Sequence, residues 1–243
     1  MMSVKVIDEI RIPQPNGSCL CYTIQRLAPQ HLSAVVDLQQ QARHHAAEND
    51  AIFMERPTDI LAACLADEGV AVGAFAADQL VAFRLLYYPG KFNQGEYAGL
   101  PPEEWNKVVH LEIGVVHPLH RGHALQRRLT AQVLAEAGDL RCKRYLCSVV
   151  SPQNYPSIKD KLVVGMPVVR LLELPGGHWR YIFCRDRMKP AQFDEAAAIY
   201  VSVNDRERQL ELLSQGYQGF RVEKLSHDAV LWYGVPQRQD KVQ

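Results

Sequence analysis

The chain has 243 residues, 47% of them hydrophobic, with 27 Lys and Arg balanced by 27 Asp and Glu. That length suits one large domain, or one domain with a small companion. Zero net charge removes a global electrostatic case for nucleic acid or an anionic membrane, and no apolar run reaches membrane-spanning length.

Val4 to Ile12 reads as a strand, followed by the turn Pro13-Gln14-Pro15-Asn16-Gly17. Thr23 to Leu27 is a second strand leading into a helix from His31 to Ala47. Thr58 to Ala66 is the next helix, with Thr58 or Asp59 as its cap. Val70 to Phe75 and Leu80 to Tyr88 form a hairpin across Ala77-Asp78-Gln79. Val108 to Val116 is a β-branched run with Glu112 inside it, which predicts a strand. Leu125, Leu129, Val133 and Ala137 then recur every four residues, with Leu134 widening the stripe and Arg127, Arg128, Gln132 and Glu136 off it. Gly138 stands where a left-handed residue ends such a helix. Arg144 to Val150 is a strand, and a helix opened by Asn154 or Ser157 with Pro156 ends at Gly165. Val168 to Leu174 and Trp179 to Arg185 pair across Pro175-Gly176-Gly177-His178. Beyond Met188-Lys189-Pro190, Ala197 to Val203 reads as a strand. Asn204 with Glu207 reads as a capping box for a helix ending at Gly216. Phe220 to Leu225 and Ala229 to Tyr233 close as a hairpin, and Pro236 to Gln243 reads as a frayed end.

The junction after Val116 carries the chemistry. A strand runs into Val-His-Pro-Leu-His-Arg-Gly-His-Ala-Leu and directly into an amphipathic helix. The first amides of a helix have no intrahelical partner and sit at the positive end of its dipole, so such a turn holds anions, a diphosphate above all. The plainer reading is a helix that begins after a proline. Val116-x-Pro118-x-x-Arg121-Gly122-x-Ala124-Leu125 resembles motif A of the GNAT superfamily of N-acetyltransferases, whose loop amides hold the pyrophosphate of acetyl-CoA. Ala124 stands where that family has its central glycine, and Gln126 where it has a small residue. Alanine in a helical conformation there costs little. Asn154, Ser157 and Ile158, followed by Gly165-Met166, are similar to motif B, with Lys161 where a thiolate-protonating tyrosine is usual.

The resemblance spans Thr23 to Met188 and implies an α/β (α+β) GNAT fold. That fold is a central mixed, mostly antiparallel twisted sheet flanked by helices. It implies a division into an N-terminal strand extension (1–22), an acetyltransferase domain (23–188) and a small C-terminal β-α-β-β appendage packed on the core (189–243). The appendage has three open roles: covering the acceptor site, pairing with another subunit in a homodimer, or finishing the sheet. The implied cofactor site comprises Val115, Val116, Arg121, Gly122, His123, Ala124, Leu125, Gln126, Asn154, Ser157 and Lys161, with acetyl-CoA as the acyl-donor cosubstrate. In the basic cluster Arg121, Arg127, Arg128, Arg141, Lys143 and Arg144, Arg121 with Arg127 or Arg128 is set against the CoA phosphates, and the rest reads as a solvated face.

Alternation puts His110, Glu112, Gly114 and Val116 on one strand face. The family places its base on this strand. A glutamate in an apolar strand is costly to bury without a purpose, which favours Glu112 as base and His110 as second choice, against a plain salt-bridged or solvent-facing pair. Tyr155 is a candidate substitute acid, with protonation of the thiolate by water as the alternative. The implied reaction is acyl-CoA-dependent N-acyl transfer, most simply of acetyl, to a primary amine of a small molecule or peptide in a ternary complex. The alternative is a catalytically weak or inactive CoA-binding sensor or assembly protein.

Cys19, Cys21, Cys64, Cys142, Cys147 and Cys184 show no metal spacing, and His110, His117, His120 and His123 lack the Cys or carboxylate that would complete a ligand set, so no metal is expected. Cys19 and Cys21 lie on one strand face, poor geometry for a bridge. With no secretory signal at the N-terminus, reduced buried thiols in the cytoplasm are the expectation.

Overall fold

The computed structural model describes residues 6–14, 17–48, 53–89, 93–138, 143–226 and 228–237. Expectations touching residues 4–5, 15–16, 90–92, 141–142 and 238–243 lie outside them. The chain falls into two units, the first comprising Met1–Tyr88 and Leu111–Leu140, the second Pro89–His110 and Arg141–Gln243.

In the first unit β1 (Val6–Pro13) and β2 (Cys19–Arg26) pair antiparallel, with Ile10 opposite Tyr22. Alternation buries Ile10, Tyr22 and Ile24 and leaves Cys19 and Cys21 exposed. The expectation of uniformly buried thiols therefore fails on β2, because the face the two cysteines share is its outer one. Helix α1 (Leu32–Glu48), entered through a 3-10 turn at Pro29–His31, buries Val35, Leu38, Gln39, Ala42 and Ala46 at helical spacing. Helix α2 (Thr58–Leu65) buries Leu61, Cys64 and Leu65. Its cap position is Pro57, with no side-chain cap; Thr58 and Asp59 are already helical, since the extended proline immediately ahead sets the start.

Strands β3 (Gly69–Ala76) and β4 (Gln79–Tyr87) form the expected hairpin. Its turn is the two residues Ala77 and Asp78, both left-handed at φ 45° and 67°, and Gln79 already belongs to the strand. Positive φ at both central positions is the tight hairpin turn whose twist matches the strands. Next in this unit come the later residues of β5 (Val108–Val116), with Val115 joining one apolar core together with α1, α2, β3 and β4. The α4 helix (Leu125–Glu136) covers β3 and β4 through Leu125, Leu129 and Val133, and Gly138 follows at φ 53°. The sequence stripe and the structure agree closely here.

The second unit begins with a short helix, α3 (Gln94–Tyr97), and a 3-10 turn at Pro102–Lys107. The first three residues of β5 pair parallel with β6 (Tyr145–Val150), His110 opposite Cys147. Among the described residues the other ladders of this unit are antiparallel. Helix α5 (Tyr155–Val163) follows, then β7 (Val168–Leu174) and β8 (His178–Asp186), β9 (Ile199–Ser202), α6 (Arg206–Ser214), β10 (Gln218–Lys224) and β11 (Ala229–Gly234). The strand order is β5-β6-β8-β7-β10-β11-β9. The β10 strand joins β7 at Gly219 opposite Val168, so the residues after Met188 continue the same ladder.

Helix α6 is capped by Asp205, whose side chain accepts from Arg208 N at 3.1 Å. The Asn204–Glu207 box is not formed, because the Asn204 amide donates to Asp228 instead. On the inner side of α6, fully buried Gln209 accepts from Tyr181 and Tyr233 hydroxyls at 2.6 and 2.9 Å and donates to the carbonyls of Ser202 and Val203. Every polar atom of that side chain is satisfied, as burial demands. Among the described residues no helix is long and apolar enough to cross a membrane.

Candidate active site

Strand β5 ends where His117 N donates to Val81 O at 2.8 Å. The His117 ring then accepts from Leu119 N and opens a single 3-10 turn, Pro118–His120. Gly122 takes φ 84° with nothing within 4 Å of where a Cβ would sit, so glycine serves the backbone angle there rather than a tight space. Ala124 is also left-handed, at φ 56° and ψ 20°. This corrects the helical conformation expected for it: an L-residue in that region costs about 1–2 kcal/mol. The alanine holds this backbone angle at a strain. The α4 helix starts immediately after, with no side-chain cap, and Arg128 N donates to Ala124 O. The amides of Leu125, Gln126 and Arg127 precede that bond, at the positive end of a twelve-residue helix. Arg121, Gly122 and Ala124 are exposed and His123 and Gln126 half-buried, so the turn is open to a ligand.

Tyr22, on β2, supports this turn. Its hydroxyl lies 3.0 Å from His120 Nδ1 and 2.9 Å from His123 Nδ1. His117 packs edge-on against His120 at 5.7 Å. Burial holds the His120 imidazole below its ordinary pKa, with the charges of His117 and His123 adding to the effect. Among the described residues no group of three or more His, Cys, Asp or Glu is arranged to hold a metal ion.

Glu112 is buried on β5, and Arg56 Nε donates to its Oε2 at 2.5 Å. Arg56 is itself held by buried Gln39 on α1. The Gln39 amide donates to Arg56 O at 3.0 Å and accepts from Arg56 N at 2.9 Å. Two bonds to one backbone unit fix where the guanidinium starts. The ion pair sets a guanidinium directly against the Glu112 side chain. The Cys64 thiol, buried nearby, is pushed up to about 12 by burial and then by the Glu112 charge. Gly114, two residues on, is required for space: a Cβ there would lie 2.4 Å from Arg84 Nη1. Val115 is buried and Val116 half-buried, so Glu112, Val115, Val116 and Arg121 to Gln126 follow one another along a single strand–turn–helix of the first unit.

The remaining site residues belong to the second unit. His110 is buried, and its Nε2 accepts from Gln94 N at 2.9 Å. An amide can only donate, so Nε2 carries no proton and its lone pair is committed. Asn154 Oδ1 caps α5 by accepting from Ser157 N at 3.1 Å. Lys161 is 2% exposed, with Nζ 3.0 Å from Asp160 Oδ2, a buried ion pair. Tyr155 is half-buried and lines an open groove of about 600 Å³ between α5 and β10, beside Lys159, Phe220 and Arg221. Gln39, Arg56, Gln94 and Tyr22 were not expected from sequence. Gln39 alone carried a signal, a polar residue within the apolar stripe of α1.

No protein-family model matches the sequence, and no curated protein matches it. Solved structures do. The acetyltransferase of the GNAT family from Streptococcus pneumoniae superposes with TM-score 0.52 at 11% identity, covering 68% of this chain and 98% of that one. A putative acetyltransferase from Acinetobacter baylyi ADP1 gives 0.51 at 14% identity, covering 68% and 91%. Arabidopsis thaliana NAA60, solved in complex with acetyl-CoA, gives 0.50 at 14% identity, covering 69% and 99%.

Proposed function

We propose that this chain, which has the fold of the GNAT acetyltransferases, is an acyl-CoA-dependent N-acyltransferase. It moves an acyl group, most simply acetyl from acetyl-CoA, to a primary amine of a small molecule or peptide. The observation that carries this reading is the uncapped start of α4 beyond two left-handed residues, Gly122 and Ala124. A diphosphate there accepts from the amides of residues 122 to 126, since the Arg121 amide already donates to Pro118 O, and the Arg121 side chain adds charge. Asn154, Ser157 and Lys161 are assigned to the same cosubstrate on the strength of the motif alone.

In the proposed reaction Glu112 takes a proton from the ammonium form of the acceptor, directly or through a water. The amine nitrogen then bonds to the thioester carbonyl carbon, whose oxygen gathers negative charge opposite a backbone N–H of β5 at Val115 or Val116. Collapse breaks the C–S bond and releases the thiolate, and the second proton shed by the nitrogen passes to the sulfur through Tyr155 or water, leaving a neutral amide and a free thiol. His110 is the weaker candidate for base because its Nε2 is already bonded to Gln94 N. The domain division at residues 22 and 188 and a dimeric or acceptor-covering role for the C-terminal segment are part of the same proposal. So is a cytoplasmic setting, in which the thiols stay reduced.

The buried Lys161–Asp160 pair in place of a tyrosine acid favours a second reading, a slow or inactive CoA-binding relative. Two measurements separate them. Coenzyme A at 100 times its dissociation constant should stabilise the fold by about 2.7 kcal/mol, and acetyl-CoA with a panel of amines should release free thiol. Stabilisation without thiol release selects the binding protein; no stabilisation overturns both.

A further inference from the structure

We infer that Tyr22 positions the diphosphate turn, its single hydroxyl bridging the two histidines that flank Arg121 and Gly122. The inference rests on that turn being the coenzyme A site. Tyr22 is 1% exposed and belongs to β2, 98 and 101 residues away in sequence from the rings it touches. His120 stands immediately before the Arg121-Gly122 pair and His123 immediately after, so one oxygen ties both ends of the turn to one strand.

The need for such a tie follows from the backbone. Gly122 and Ala124 are both left-handed, and the helix that follows has no side-chain cap. Uncommon backbone conformations persist only where their surroundings over-determine them. A bridge to a buried strand supplies that constraint without covering the turn, whose Arg121, Gly122 and Ala124 remain exposed.

The chemistry of the bridge is specific. A tyrosine hydroxyl has one proton to give and lone pairs to accept. It donates to the Nδ1 of one ring, which must lack a proton there. The other ring must carry its proton on Nδ1 and donate to the oxygen. The two rings thus differ at Nδ1, one bearing a proton there and the other not. The burial that lowers the His120 pKa suits His120 as the ring whose Nδ1 accepts. The charged or titratable groups around the bridge are His117, against His120, and Arg121, between the two rings in sequence. Phenylalanine at position 22 would keep the ring edge that meets His120 at 5.6 Å and lose only the shared oxygen.

The test compares full-length wild type with Tyr22→Phe by calorimetry with coenzyme A and by ¹⁵N-histidine spectra. His120→Asn and His123→Asn assign the resonances. Wild type should show one ring protonated on Nδ1 and one on Nε2, and Tyr22→Phe should lose that asymmetry. Coenzyme A binding should weaken roughly fivefold to thirtyfold, the share of one or two hydrogen bonds. Equal affinity in the two proteins overturns the assignment even if Tyr22→Phe melts lower, because a merely structural tyrosine would move only the melting temperature. Matching tautomers in wild type overturn it as well. A wild type that binds no coenzyme A removes the functional reading, and the assignment with it.

Discussion

Two helix starts show opposite uses of the same backbone groups. Helix α5 begins on Asn154, whose side chain accepts from Ser157 N, with Pro156 fitting the first turn. Helix α4 begins on Ala124, a strained left-handed residue with no side chain able to cap it. One start satisfies its own amides; the other leaves its amides to whatever arrives. The difference teaches that a missing cap is informative when it coincides with backbone strain. A protein that needed only stability at position 124 would have glycine or a hydrogen-bonding side chain there.

Four substitutions would break or sharpen this contrast. The largest effect belongs to the strand feeding α4. Glu112→Gln should lower turnover by roughly 10²–10⁴-fold while coenzyme A affinity stays unchanged. A pH–rate profile should also lose its acid limb; an intact limb would move the base elsewhere. Next is Gly122→Val, which places a β-branched residue at φ 84°. Strain of about 1–3 kcal/mol should weaken coenzyme A binding on the order of tenfold to a hundredfold, with the fold retained by circular dichroism. Unchanged affinity would show that α4 does not hold the diphosphate. At the closed start, Asn154→Ala should cost about 1 kcal/mol in urea unfolding, with coenzyme A affinity moving only a few-fold. A collapse of affinity instead would make Asn154 a principal coenzyme A contact rather than chiefly a cap. The smallest change is Ala124→Gly. Relief of the left-handed strain, offset by glycine's greater freedom when unfolded, should leave a gain of about 0.5–1 kcal/mol. Differential scanning calorimetry would read this as a rise of roughly 2–4 °C per kcal/mol.

Much of the architecture was legible because its signals are periodic and local. The β-branched run of β5 and the four-residue stripe of α4 reproduce their predicted limits almost to the residue. The β3–β4 and β10–β11 hairpins announce themselves through alternation around short turns. Caps are less legible: Asp205 displaces Asn204, a neighbour of similar propensity, and Pro57 sets the start of α2 with no side-chain cap at all. The turn was found, but the conformation of Ala124 was not, because alanine gives no hint of a left-handed backbone. The supports of the site were invisible for a different reason. Arg56 reaches Glu112 across 56 residues and Tyr22 reaches His123 across 101, and no periodicity encodes such pairings.

The Gln209 amide has a consequence for how the chain ends. One side chain holds hydroxyls from β8 and β11 and two carbonyls beside β9, so α6 works as a key cut for a single lock. Glutamate would bring a charge with no proton for the carbonyls, and methionine would leave all four partners unmatched. Ending the chain after Pro190 removes the key and three of the four groups it holds, and leaves the Tyr181 hydroxyl behind. That hydroxyl would exchange its Gln209 acceptor for water, giving up a hydrogen bond worth about 0.5–1.5 kcal/mol before any lost apolar contact is counted. Tyr181 is wholly buried in the intact chain, and its acidity is suppressed first of all by that burial. Loss of α6 would therefore be felt in β8, a strand laid down before it.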